Sequence, residues 1–241
     1  MARPRNQARR REQLVSAASE LVARRGLSGV RLRDVADAAG VTSGAVLYYY
    51  ENLAELFAAA YAHAIERFCE HRERATATIT DPWQRLLTAV RLGIPAGPDD
   101  EEVRLLYELE PVAFRDPACA ALMTAYIERQ VAMYATILEL GAATGAFTLA
   151  HDPRTLARNI VSMEDGQGLY VLTGHDTPAQ VERRILAYVS AATGQARDAP
   201  TPPSRTRSRH SGIGQAPDGQ ARSGRSADRP SAGSRAGADP R

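Results

Sequence analysis

Thr42-Ser43-Gly44-Ala45 is a run of small side chains, two of them hydroxyls, and Tyr48-Tyr49-Tyr50 follows within the next few residues. The chemistry open to this set is recognition of a nucleic acid. Small residues let a helix backbone approach base edges, hydroxyls hydrogen-bond bases or phosphates, and an alanine methyl meets a thymine methyl. A tyrosine packs its ring while its hydroxyl stays available. Tyr50 is expected to anchor the segment, whereas Tyr48 and Tyr49 either reach phosphates or simply pack. Arg31 and Arg33 add cations just upstream.

A second set lies further along. "LLYELEPVAF" places Tyr107, Glu108 and Glu110 among leucines, and "IVSMEDGQGLYVL" places Glu164 and Asp165 inside an apolar run. A carboxylate in apolar surroundings needs a partner. Pairing with Arg129 or Arg158 would make Glu164 structural; an unpaired Glu164 would select a cationic or hydroxyl-rich aromatic ligand. Residues 117–143 carry two apolar stripes, one through Leu122, Tyr126, Met133 and Ile137 and one through Met123, Ile127, Gln130, Tyr134 and Leu138. A helix apolar on both sides lies between layers. Met123, Tyr126, Arg129, Gln130 and Met133 are therefore candidate ligand-binding residues, with core packing as the competing role. Adaptable Met and Tyr side chains suit a pocket for a drug-sized molecule.

Other chemistries lack their residues. There is no G-x-S-x-G, no P-loop and no glycine-rich dinucleotide loop after a strand. His63, Cys69 and His71 are offset by six and eight residues and share no i, i+4 face. No catalytic group, metal or cofactor is expected, and the chain does not read as an enzyme. A helical interaction adaptor without DNA is the alternative to a DNA-binding protein. Cys69 and Cys119 read either as reduced thiols or as a redox sensor. No apolar run reaches the length of a bilayer span, and the charged N-terminus leads into no apolar leader segment. A cytoplasmic, nucleoid-associated protein with no membrane partner is expected.

Charge is segregated behind a net +2. Residues 1–33 hold nine Arg and two Glu, net +7; residues 34–196 hold twelve Arg and twenty-two acids, net −10; residues 197–241 hold nine Arg and four Asp, net +5. A basic head on an acidic body suits a head that meets a polyanion and a body that does not.

The elements that position these residues read as helices. One is expected over 7–25 and stops at Gly26; another spans 32–39 and breaks at Gly40; Thr42 caps a third that ends near Tyr50. A fourth spans 53–74. Asp81-Pro82, Asp116-Pro117, Asp152-Pro153 and Thr177-Pro178 each set a capping side chain before a proline at the first helical position. Helices follow over 82–95, 101–114, 117–143, 153–172 and 178–193. From about Gln195 the chain turns to Pro, Gly, Ser, Ala and Arg, and no large apolar core can form, so this segment is expected to be disordered.

Helix, a turn at Gly40-Val41, and a second short helix make a helix-turn-helix, whose second helix enters the major groove. Gly26, "VRLRDVADAAGVTSGAV", the aromatic run and "ELF" together resemble the DNA-binding domain of the TetR family of transcriptional regulators, over about Gln13 to Phe57. The resemblance implies an all-α fold with about nine helices. It implies a DNA-binding domain at 1–52, an effector-binding and dimerisation body at 53–194, and a tail at 195–241. It also implies a ligand-responsive regulator, by analogy a repressor, that binds a palindromic operator as a homodimer and is released by a small-molecule effector. An activator is the alternative output. The family commonly carries Tyr at Leu47 and Lys at Leu53. Phosphate contact then falls to Tyr48, Tyr49, Arg31 and the N-terminal Arg3, Arg5, Arg9, Arg10 and Arg11. The last two helices resemble the family's dimer interface, with Leu169, Val171, Leu172, Val181, Ile185, Leu186 and Val189 facing the partner and Gly166 and Gly168 permitting close approach.

Overall fold

The computed structural model describes residues 2–114 and 116–195, with side chains from residue 6 onward except Leu109. Among the described residues the order is α1 (Ala2–Arg25), a 3-10 turn (Leu27–Gly29), α2 (Leu32–Ala38), α3 (Ser43–Tyr49), α4 (Leu53–Ala77), α5 (Pro82–Gly93), α6 (Glu101–Ala113), α7 (Pro117–Ala143), α8 (Pro153–Leu172) and α9 (Pro178–Ala192), with no strand. The all-α expectation holds. Apart from Gln195, the expected disordered tail lies outside the described residues.

Capping explains most boundaries. Asp81 accepts from the Gln84 N–H at 2.7 Å, Asp152 from Thr155 at 2.9 Å, and Thr177 forms a capping box with Gln180. Each such cap stabilises its helix by about 1 kcal/mol. Asn52 caps α4 through Glu55 at 2.9 Å. The first helix begins earlier than expected because Pro4 falls in its first turn, where no backbone N–H is required. The fifth stops at Gly93 because Ile94, which precedes Pro95, is extended.

Two apolar cores organise the chain. One gathers Leu14, Ala18 and Val22 of α1, Val35 of α2, Val46 of α3, Leu56, Tyr61 and Phe68 of α4, and Val103 to Leu106 of α6. The other gathers Leu86 and Val90 of α5, Tyr134 and Leu138 of α7, Ile160 of α8, and Val181, Ile185 and Val189 of α9. Helix α4 belongs to the first core and packs against α5 and α7, which contribute to the second.

This packing corrects the expected dimer face. Val171, Val181, Ile185 and Val189 are buried in the chain's own core, because α9 packs against α5 and α8. Leu169 and Tyr170 are exposed, and Leu172 and Leu186 are half-buried. A Cβ on Gly166 would meet nothing, whereas one on Gly168 would strike the Tyr107 hydroxyl at 2.5 Å. Gly168 therefore permits a contact within the chain, and only Gly166 faces open space.

Candidate nucleic-acid interface and ligand chamber

The α2–α3 turn is a Schellman stop. Gly40 sits at φ +64°, a left-handed conformation that favours glycine, and the Val41 N–H reaches back to the Ala36 carbonyl at 2.9 Å. Thr42 then caps α3 by accepting from the Ala45 N–H at 3.1 Å. A seven-residue helix has little stability of its own. It is held from both ends of its inner face. Val46 is fully buried and Tyr50 nearly so. Arg11 donates to the Tyr49 carbonyl at 2.9 Å and lies over the Tyr50 ring at 5.1 Å, and Gln13 donates to the Ala39 carbonyl at 3.0 Å.

The outer face carries the expected reading residues. Gly44 is exposed, Ser43 and Ala45 are half-buried, and Tyr48 is 73% exposed. Tyr49 is half-buried and stacks edge-on against Tyr48, with ring centroids 5.0 Å apart. Arg31 is exposed, and its backbone N–H donates to Asp34 at 2.8 Å. Arg33 is exposed but lies 3.7 Å from Asp37. Arg11, expected among the phosphate contacts, is instead the tether of α3, and Arg10 is bonded to Gln13. The side chains of Arg3 and Arg5 lie outside the described residues.

In the body the expected ligand residues divide into two groups. Arg129 is not in a pocket: it clasps α7 to α4, donating to Glu73 at 2.6 and 2.8 Å and to Glu66 at 2.9 Å. Gln130 is buried between Arg72 and Cys69 and is fully engaged in the core. Met133 packs against the second core. Glu164 is also structural, but its cation is neither Arg129 nor Arg158, since Arg158 pairs with Glu128. Its partner is Arg72 of α4, at 3.0 Å, with the two side chains 1% and 4% exposed. The Arg72 guanidinium also meets the Tyr134 hydroxyl at 2.8 Å, the Ala89 carbonyl at 2.7 Å and Gln130. Burial presses this guanidinium toward neutrality, and Glu164 more than reverses it. Sequence reasoning did not single out Arg72, which lies in a charged stretch of α4 that resembles a solvated face.

The remaining candidates do meet. Tyr107, Met123, Tyr126 and Asp165 line a chamber with Tyr61, Phe68 and Glu110, its free volume about 40 Å³, room for a few waters. Tyr107, Glu110 and Asp165 also line an adjoining groove of about 580 Å³ between α6 and α8, with Glu108, Leu169 and Leu172. Asp165 is pushed up to about 7 by burial and then by the neighbouring Glu164 and Glu110, against the opposing pull of Arg72. Burial also raises the Glu110 carboxyl. The Tyr61 hydroxyl is pushed up to about 12 by burial and by Glu110. Tyr107 donates to the Asp165 backbone carbonyl at 2.6 Å, which ties α6 to α8. Cys69 and Cys119 are buried, and burial raises both thiols, which opposes the redox-sensor alternative.

The family profile described as "Bacterial regulatory proteins, tetR family" matches residues 14–60, the segment from α1 into α4. The transcriptional repressor KstR2 of Mycolicibacterium smegmatis is 24% identical over 60% of this chain and 70% of its own. The transcriptional activator FasR of the same organism is 27% identical over 77% of this chain and 82% of its own. Residues 14–60 thus match the TetR-family DNA-binding segment, and the chain as a whole is similar to regulators of that family. Solved structures agree on the fold: a TetR-family regulator from Rhodococcus sp. superposes with a TM-score of 0.68 at 22% identity, covering 76% of this chain and 98% of that one. A regulator from Saccharomonospora viridis in complex with choline gives 0.72 at 22% identity over 77% and 98%.

Glu108 has a place that its sequence context did not show. Its carboxylate accepts from the Leu27 N–H at 3.3 Å, directly after Gly26 ends α1. A Cβ on Gly26 would lie 3.2 Å from that carboxylate, and Gly26 itself holds φ +71°. Glu108 therefore joins α6 to the N-terminal domain, one helical position from the chamber residue Tyr107. No described helix is long and apolar enough to cross a membrane.

Proposed function

We propose that this regulator is a repressor whose α3 reads a palindromic operator as a homodimer, and that a small molecule entering between α4, α6, α7 and α8 releases it. In this reading residues 1–52 bind DNA and residues 53–194 bind effector and partner. Thr42, Ser43, Gly44 and Ala45 meet bases, while Arg31, Arg33, Tyr48 and Tyr49 meet phosphates. The exposed Tyr170 of α8 and the half-buried Leu186 of α9 form the contact between copies. The observation that carries the reading is α3 itself, a helix too short to stand alone, tethered through Arg11 and Tyr50 so that its small residues face outward. The choline complex of the Saccharomonospora viridis protein supports a body that takes a small molecule. The KstR2 likeness favours repression; the longer FasR match favours the second reading, activation.

Fluorescence anisotropy on the fragment upstream of the protein's own gene tests the reading. Binding should weaken steeply with salt. Arg31→Ala should make the log–log slope shallower by about 0.9 for each phosphate that Arg31 neutralises. An unchanged slope removes Arg31 from the interface. An absence of binding in dilute buffer to that fragment and to unrelated duplexes removes the DNA-binding assignment.

A further inference from the structure

Glu110 and Asp165 line both the chamber and the groove, and neither is in an ion pair among the described residues. Among the acids at this junction, Glu164 has Arg72 and Glu108 has the Leu27 N–H. Neither the Glu110 nor the Asp165 carboxylate has an ion pair or hydrogen bond among the described residues. The groove's cation, Arg104, is turned to the Pro98 carbonyl. Tyr61 is 2% exposed and lines the chamber, and its hydroxyl also has no hydrogen-bond partner among the described residues. Tyr61, Tyr107 and Tyr126 all lie in the field of Asp165.

We propose that this junction is a receptor for an organic cation. The ammonium group sits between Glu110 and Asp165 against the tyrosine rings, and the apolar body lies in the groove against Leu169 and Leu172. Two uncompensated carboxylates in a partly desolvated site repel an anion and gain nothing from a neutral apolar guest. A cation offsets the partial burial of Asp165 and is attracted by the exposed Glu110 at the groove rim. Ring faces and tyrosine hydroxyls add attraction for a weakly hydrated ammonium. The groove's leucines favour a carbon-bearing cation over a metal ion. The deep chamber is small, so only the charged end enters it and the bulk stays in the groove. The proposal rests on the preceding reading only for its consequence on DNA, not for the binding itself.

The test is titration calorimetry of the full-length protein at pH 8 with benzyltrimethylammonium and with benzyl alcohol, which shares the ring and lacks the charge. One equivalent of the cation per chain should bind at least tenfold more tightly than the alcohol. Glu110→Gln and Asp165→Asn should each weaken the cation severalfold, and the double variant should lower it to the level of the alcohol. Glu110→Gln alone lies on the groove rim and serves should the Asp165 variant misfold by circular dichroism. At pH 6 protonation of Asp165 should weaken the cation and leave the alcohol unchanged. Equal affinity for the two probes, or full affinity in Glu110→Gln and in the double variant, overturns the proposal. Cation binding that leaves an operator complex intact upholds the receptor and refutes release by this ligand.

Discussion

Arg72 and Glu164 are a buried ion pair whose partners cannot be removed singly without cost. Replacing Glu164 by Gln keeps the shape but leaves a buried guanidinium uncompensated, a loss on the order of 3–5 kcal/mol. Urea denaturation of Glu164→Gln should show that fall in stability. Asp165 behaves oppositely. Its folded pKa, pushed up to about 7, lies above the unfolded carboxylate range, so the folded state holds the extra proton. Stability therefore falls as pH rises from about 4 through 7. The groups facing it are Glu164 of its own helix, Glu110 and Tyr107 of α6, Tyr126 of α7, and Arg72 and Tyr61 of α4. Asp165→Asn removes the titration: its melting temperature should exceed that of the parent at pH 8 and match it near pH 4. That Glu164 needed a cation was legible in the sequence. Which cation was not, because Arg72 stands 92 residues away and its surroundings, "CEHRERA", read as solvent-facing. The same blindness assigned Arg129 and Gln130 to a pocket: helical periodicity separates inside from outside but does not separate a cavity wall from a packed layer.

At the scale of elements, α3 depends on α1. Arg11→Ala removes the bond to the Tyr49 carbonyl and the packing over the Tyr50 ring, at a cost of about 1 kcal/mol. DNA affinity of Arg11→Ala should fall severalfold on every sequence, with the preferred sequence unchanged in competition assays. Helix α6 has the complementary role, since Glu108 holds the Leu27 N–H while Tyr107 touches the chamber. Glu108→Ala, which also removes a groove carboxylate, should raise the effector concentration needed to release DNA by more than it weakens effector binding, the two read by anisotropy and by calorimetry. The helices themselves were legible because Asp-Pro and Thr-Pro dipeptides punctuate them and the structure starts α5, α7, α8 and α9 at those prolines. The orientation of α9 was not. Val181, Ile185 and Val189 form an apolar stripe that would suit either a partner copy or the chain's own α5, and only packing decides between them.

At the scale of the molecule, charge and geometry agree. The basic N-terminal segment carries α3 outward, while the acidic body encloses a chamber whose carboxylates disfavour phosphate. The packing of α4, a member of the first core, against α5 and α7, together with the Glu108 bridge, gives the body a physical route to move the reading helix. The shift an effector can produce is bounded by its differential affinity for the two arrangements. Selection of bound duplexes from a random pool by the full-length protein decides whether α3 reads sequence. An inverted repeat should be enriched whose half-sites are spaced for two reading helices on one face of the duplex, and Thr42 and Ser43 variants should enrich a different half-site. A pool that emerges with no sequence enriched over the input would contradict it.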